Sequence, residues 1–200
     1  MDWNNLLKSI IILFAIVNPV GSIPIFLQLT EKMTKEERGR AFRTGVVSSI
    51  IILFLFVIAG EWILSHLFRI QLYDLMAAGG LLLLIISIDH LVFGALVRSV
   101  LAGGERDPAQ IGAVPIACPI LAGPGAMMTV IITYSESGFL TVAASIIAVF
   151  AITWLILRFI DVISRIFGKM VCTVLSKILS LFLAAIGIRL LMQGLSHYFK

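Results

Sequence analysis

The sequence predicts an all-α, polytopic membrane protein: six transmembrane helices in a 3+3 inverted-topology repeat, with the first and fourth helices discontinuous. Three observations predict it. Of the 200 residues 60% are hydrophobic and 13% charged, with a mean hydropathy of +1.10, whereas soluble domains run near 45–50% apolar and about 25% charged. The apolar residues gather into six runs, about 6–29, 43–64, 72–94, 111–134, 139–160 and 173–196, each long enough to cross roughly 30 Å of hydrocarbon. Prolines and glycines concentrate inside the first and fourth runs, at Asn18-Pro19-Val20-Gly21-Ser22-Ile23-Pro24 and at Pro115-Ile116-Ala117-Cys118-Pro119-Ile120-Leu121-Ala122-Gly123-Pro124-Gly125.

The first run extends from near Leu6 to Leu29 with no small-residue cleavage site after a short core, so it reads as a span that stays in the membrane. The charged segment Thr30 to Arg43 follows, then the second run, a short turn at His66 to Gln71, and the third run. Ala102-Gly103-Gly104-Glu105-Arg106-Asp107-Pro108 is the most polar break near the middle. It divides the chain into a first three-helix repeat at 1–97, an inter-repeat loop at 98–110 and a second repeat at 111–200. In the second half a tight turn at Ser135 to Gly138 separates the fourth and fifth runs, and Asp161 to Ser176 precedes the sixth.

Lysine and arginine sort by side. Three of them (Lys8, Arg69, Lys200) fall on the face shared by the termini, and eleven, from Lys32 to Lys177, on the opposite face. The positive-inside rule then places both termini on the periplasmic or extracellular side. The net charge of +4 is topology information and implies no nucleic-acid partner. Cys118 and Cys172 make no metal spacing and read as small packing residues; neither a metal nor a cofactor is expected.

The halves pair Asn18-Pro19-Val20-Gly21 with Gly123-Pro124-Gly125-Ala126, Ser49-Ile50-Ile51 with Ser145-Ile146-Ile147, and Ile88-Asp89-His90-Leu91 with Ile188-Arg189-Leu190-Leu191. With an odd number of spans each, the two halves cross in opposite directions, as in transporters built on inverted repeats.

A proline inside a helix removes one N–H and disturbs the carbonyl four residues back. Such irregular backbone persists at membrane depth only when buried in protein or lining a polar cavity. Helical segments restarting after Pro24 and Pro124 offer electropositive N-terminal ends suited to a carboxylate. The carbonyls that end the preceding halves suit an ammonium group or a small cation. Gly21, Gly123 and Gly125 leave little room for a ligand side chain, so a small zwitterion is the expected solute. The expected binding residues are Asn18, Pro19, Gly21, Ser22, Pro24, Pro119, Gly123, Pro124, Gly125 and, one turn on, Thr129. Thr133, Ser48 and Ser49 are expected to bond back to their own helix.

Ionisable residues within the runs are costly, by at least about 2.5–3.5 kcal/mol at the bilayer centre, and imply a partner or water. Glu61, Asp74 and Asp161 lie near run ends and read as interfacial. Asp89 and Arg189 lie deep at matching positions and are expected to pair across the repeats. Together Asp89, Arg189, Asp74 and Glu61 are the coupling or gating residues. An intramembrane enzyme is excluded: there is no G-x-S-x-G, no H-E-x-x-H, and no Gly-x-Gly-Asp to accompany Tyr73-Asp74.

At Asn18 to Pro24, Pro115 to Pro119 and Ala122 to Gly125 the chain resembles the MarC family, which includes SnatA-like small neutral amino acid transporters, and the likeness covers the whole chain. The resemblance implies a bacterial or archaeal inner-membrane protein that moves glycine, alanine or serine, coupled to H⁺ or Na⁺, with a homo-oligomer open to it. Asn18, Pro19, Gly21, Pro24, Pro115, Pro119, Gly123, Pro124 and Gly125 match its core motif. A channel for small polar solutes or ions through the same broken region is the alternative.

Overall fold

The first helix, α1, runs Trp3–Val17 and stops because Asn18 turns left-handed, at φ 47° and ψ 53°. Asparagine tolerates that region better than other residues with a Cβ. The chain resumes as α2 (Ile23–Leu29) and, after a turn, as α3 (Lys35–Trp62). In this computed structural model the described residues are 2–62, 66, 69, 71–93 and 107–198. Next come α4 (Leu72–Ile88), which widens into π-type turns over Asp89–Phe93, and α5 (Pro108–Ile111), which does so over Gly112–Leu121. The last helices are α6 (Pro124–Arg158) and α7 (Ile160–Ser196). No strand occurs among the described residues.

Helix starts are set by local side chains. Thr34 donates its N–H to Glu37 Oε2 at 2.8 Å, and the Glu37 N–H donates to Thr34 Oγ1 at 3.3 Å, a reciprocal cap that begins α3 well before the apolar run expected from 43. The charged residues Lys35 to Arg43 are therefore helical. Gln71 and Asp74 make the same kind of cap on α4, and Asp107 accepts from the Ala109 N–H at 3.0 Å to start α5. The expected inter-span segment Asp161 to Ser176 is also helical, interrupted at Gly168 (φ 72°). Of the inter-repeat loop expected at 98–110, residues 98–106 lie outside the described residues.

Three contacts fix the course of the chain. A Cβ on Gly45 would come within 2.5 Å of Ile116 Cγ2, and one on Gly60 within 3.0 Å of Ile131 Cδ1, so α3 and the α5–α6 segment run parallel. Arg38, at the start of α3, reaches Asp161 at the start of α7 at 2.5 Å. Between Ile131 and Asp161 the chain has therefore returned along α3. It reverses at Gly138, whose φ of 79° and ψ of 171° suit glycine, and the tight turn expected at Ser135 to Gly138 is found there.

The α4 and α7 helices pack antiparallel through small residues. A Cβ on Gly80 would lie 2.5 Å from Gly187 O, and one on Gly194 2.5 Å from the Ala77 nitrogen. Backbones this close gain dispersion contacts that a larger side chain would forbid. The remaining core joins α1, α2, α3, α5 and α6 through residues such as Leu13, Phe26, Leu53, Ile116, Ile146 and Phe150.

Three stretches, Lys35–Gly60, Gly125–Arg158 and Thr173–Ser196, are long and apolar enough to cross a membrane, and the shorter Trp3–Val17, Met76–Ile88 and Pro108–Cys118 are also apolar. Their outer faces expose large apolar side chains in rows, for example Val47, Ile51, Leu55 and Ile58 on α3. An exposed apolar surface of that extent belongs against lipid. The molecule is an integral membrane protein.

Candidate functional site

The first break is stitched by its own residues. The Asn18 amide oxygen accepts from the Gly21 N–H at 3.2 Å, and the Asn18 carbonyl accepts from both the N–H and the hydroxyl of Ser22, each at 3.1 Å. The Ile23 N–H donates to Val20 O at 3.2 Å. Asn18 and Ser22 are buried. A Cβ at Gly21 would come within 2.6 Å of Asn18 Oδ1 and displace the amide that closes the turn. The N–H groups of Gly21, Ser22 and Ile23 are thus consumed inside the turn. An asparagine at the αL position folds the chain back onto those donors, which lie ahead of Pro24. Pro19 lies within this turn and Pro24 is the second residue of α2.

The second break is built differently. Cys118 has extended backbone (φ −127°, ψ 121°) within the π-type turns, and the Ala122 N–H donates to Ala117 O at 2.7 Å. That five-residue span is the wider turn, closed across the region where Pro119 carries no N–H. Cys118 is exposed rather than packed. Gly123 then takes an extended conformation, and Pro124 opens α6 with no side-chain cap. The Met127 N–H is the first to bond within the helix, to Gly123 O at 3.0 Å. A helix leaves its first N–H groups without intrahelical partners, so the positive end of α6 lies at Gly125 and Ala126, both buried. Thr129, expected to face a ligand, donates its hydroxyl to Gly125 O at 2.8 Å; Ser49 likewise bonds back to Gly45 O at 2.7 Å.

Each break meets the α4–α7 pair on a different helix. At the first, the Ser176 hydroxyl of α7 donates to Gly21 O. At the second, a Cβ on Gly125 would lie 2.5 Å from Leu83 Cδ1 of α4. Leu83 also sits 3.2 Å from the Cβ position of Gly187 on α7. Leu83, Ser87, Ser176 and Ser180 were not among the residues the sequence singled out. No spacing in the sequence marks them, since leucine and serine are ordinary in such apolar helices.

The ionisable residues separate. Asp89 is buried at the start of the π-type turns of α4, but Arg189 is exposed and no ion pair joins the two. The reason lies in the helix face: Arg189 follows Gly187 by two residues, about 200° around α7, and so points away from α4 when Gly187 faces it. Asp74 caps α4 and accepts from the Tyr198 hydroxyl, while Tyr73 stacks on His197 at 4.1 Å. Glu61 lies in the last turns of α3. Asp161 pairs with Arg38, which also donates to Thr30 O at 3.2 Å. No cluster of metal-ligating side chains occurs among the described residues.

Residues 3–199 match the family described as MarC family integral membrane protein. Among curated relatives, a UPF0056 membrane protein of Methanocaldococcus jannaschii is 32% identical over 205 residues, covering 98% of each chain. The UPF0056 membrane protein YhcE of Escherichia coli is 32% identical, covering 99% of this chain and 95% of its own. YvbG of Bacillus subtilis, another UPF0056 membrane protein, is 32% identical, covering 100% and 98%. No solved structure matches the chain.

Proposed function

We propose, from the premise that the chain belongs to the MarC family of integral membrane proteins, that it is an inner-membrane secondary transporter of small neutral amino acids of the glycine, alanine and serine class. The observation that carries this reading is the uncapped start of α6. The Gly125 and Ala126 N–H groups form a buried positive end suited to a carboxylate, and Leu83 against Gly125 leaves space for little more than a small side chain. The ammonium pole falls to carbonyl and hydroxyl oxygens around Asn18, Gly21 and Ser22. Pro19, Pro24, Pro119, Gly123 and Pro124 shape the two breaks, and Thr129 steadies the first turn of α6.

A match of buried positions between the halves supports alternating access by two inverted three-helix repeats, 1–97 and 111–200, and six crossings. The buried faces of α3 (Val46, Ser49, Leu53, Val57) and of α6 beyond Gly138 (Val142, Ser145, Val149, Thr153) repeat at a constant offset, and Ser49 and Ser145 bond back identically to Gly45 O and Thr141 O, at 2.7 and 2.8 Å. Equivalent helices of inverted repeats meet antiparallel, as α4 and α7 do. The asymmetry of lysine and arginine supports termini on the periplasmic side. Coupling to H⁺ or Na⁺ is assigned to buried Asp89, and gating to Asp74, Glu61 and Arg189.

Counterflow in liposomes tests the function. Purified protein is expected to exchange external labelled glycine against an internal pool with saturation, inhibited by alanine and serine and not by leucine. Uptake that rises linearly with glycine concentration would instead mark a channel through the same breaks.

A further inference from the structure

Most buried hydroxyls among the described residues follow one rule. Thr30, Ser49, Ser87, Thr129, Ser145 and Thr153 each donate to the carbonyl one helical turn earlier, at 2.6–2.8 Å. Ser180 on α7 does not: its side chain is 0% exposed and Oγ has no hydrogen-bond partner. A buried hydroxyl without a partner is costly, and such a group in a native protein calls for an explanation.

Its position supplies one. Ser180 precedes Gly187 by seven residues, two helical turns, and so lies on the face of α7 that packs against α4. The antiparallel register of Gly80 and Gly187 places Ser180 at about the level of Ser87, seven residues beyond Gly80. Ser87 has already committed its proton to Leu83 O at 2.6 Å, which leaves its oxygen an acceptor only. Ser180 offers an uncommitted donor. One turn from Ser180 is Ser176, bound to the first break at Gly21; one turn from Ser87 is Leu83, packed on the second break at Gly125. The two hydroxyls thus lie between the breaks, one a donor and one an acceptor.

We infer that Ser180 is a solute-binding residue, whose hydroxyl donates to the carboxylate of the transported zwitterion beside the Gly125 and Ala126 N–H groups. This rests on the transport reading above. Burial of both serines in the closed pair requires α7 to part from α4, with Ser176 releasing Gly21 O, before solute reaches them.

The test joins stability to selectivity. Deleting an unsatisfied buried hydroxyl is neutral or stabilising for the fold, so Ser180→Ala is expected to melt in detergent at the wild-type temperature or above it. Deleting a donor to a charged group is expected to raise the KM for glycine counterflow about tenfold or more. Methylamine, which has the ammonium group and no carboxylate, should inhibit wild type and Ser180→Ala equally. Ser180→Cys keeps the volume with a weaker donor, and its KM should fall between the two; it decides the matter if the alanine variant does not fold. Saturable wild-type counterflow with an unchanged KM in both variants overturns the inference alone, as does a lowered melting temperature with an unchanged KM, which marks a structural hydroxyl. Weaker inhibition by methylamine in Ser180→Ala overturns the carboxylate assignment. Wild-type protein without saturable glycine counterflow overturns the transport reading and this inference with it.

Discussion

Gly125, the first residue after the proline that opens α6, packs directly against Leu83 of α4, so that a Cβ there would stand 2.5 Å from Leu83 Cδ1. In the sequence Gly125 reads as one of three glycines that leave little room for a ligand side chain. In the structure a side chain at 125 would meet Leu83. Gly125→Ala should therefore cost about 1–3 kcal/mol through overpacking, and Leu83→Ala in the same chain should recover part of it, with a coupling of about 0.5–3 kcal/mol. Melting temperatures of the two single variants and the double in detergent measure the coupling. Strictly additive losses would mean that the two residues do not meet.

The α4–α7 crossing should be the least forgiving surface for added volume. A Cβ on Gly187 would lie 2.8 Å from Gly80 O and 3.0 Å from the Leu84 nitrogen, both backbone atoms that cannot rotate aside. Gly187→Val should give protein that inserts but loses its monodisperse peak on size exclusion. Gly39, with nothing within 4 Å of its Cβ position, is the control, and Gly39→Ala should gain up to about 1 kcal/mol from helix propensity. A monodisperse Gly187→Val with wild-type melting would refute the close crossing.

Much of this was legible in the residues, and the exceptions have physical causes. The turn at Gly138 and the break at Asn18 were readable because backbone conformation there is dictated locally, by a glycine at φ 79° and an asparagine at φ 47°. The start of α3 at Lys35 was missed because a Thr34–Glu37 cap overrides the charge pattern that suggested a loop. Ser176 and Ser180 could not be singled out, because serine in an apolar helix ordinarily bonds back to its own turn, and only the packing of α7 on the first break and on α4 shows that these two do not. The split between a self-satisfied first break and an open second one likewise depends on where the Asn18 amide points, which no spacing in the sequence encodes.

Arg38 and Asp161 should be unequal partners. Asp161 is half exposed, its side chain 52% accessible against 17% for Arg38, so Asp161→Asn should cost only about 0.2–1 kcal/mol, less at high salt. Arg38 also donates to the carbonyl of fully buried Thr30, which the Met33 N–H bonds as well, so Arg38→Ala removes a second bond and should add about 0.5–1.5 kcal/mol. Thermal melts of both variants at low and high salt separate the contributions. Equal losses in the two would show that the Thr30 contact contributes nothing.

Asp89 and Arg189 occupy matching places in the two halves, yet the arginine lies on the exposed face of α7 and the aspartate is buried. Removing one member of a buried ion pair costs about 3–5 kcal/mol, most of which returns when the other is removed too. Here no such return is expected. Asp89→Asn should change stability on its own terms, Arg189→Gln should change it by no more than about 0.5 kcal/mol as a surface substitution, and the double variant should show their sum within about 0.5 kcal/mol. The same proteins decide the role assigned to Asp89. If it couples solute to an ion gradient, Asp89→Asn exchanges glycine in counterflow but does not concentrate it when a gradient is imposed, and Arg189→Gln does both. Recovery of stability in the double variant would reinstate the pair, and active accumulation by Asp89→Asn would remove the coupling role.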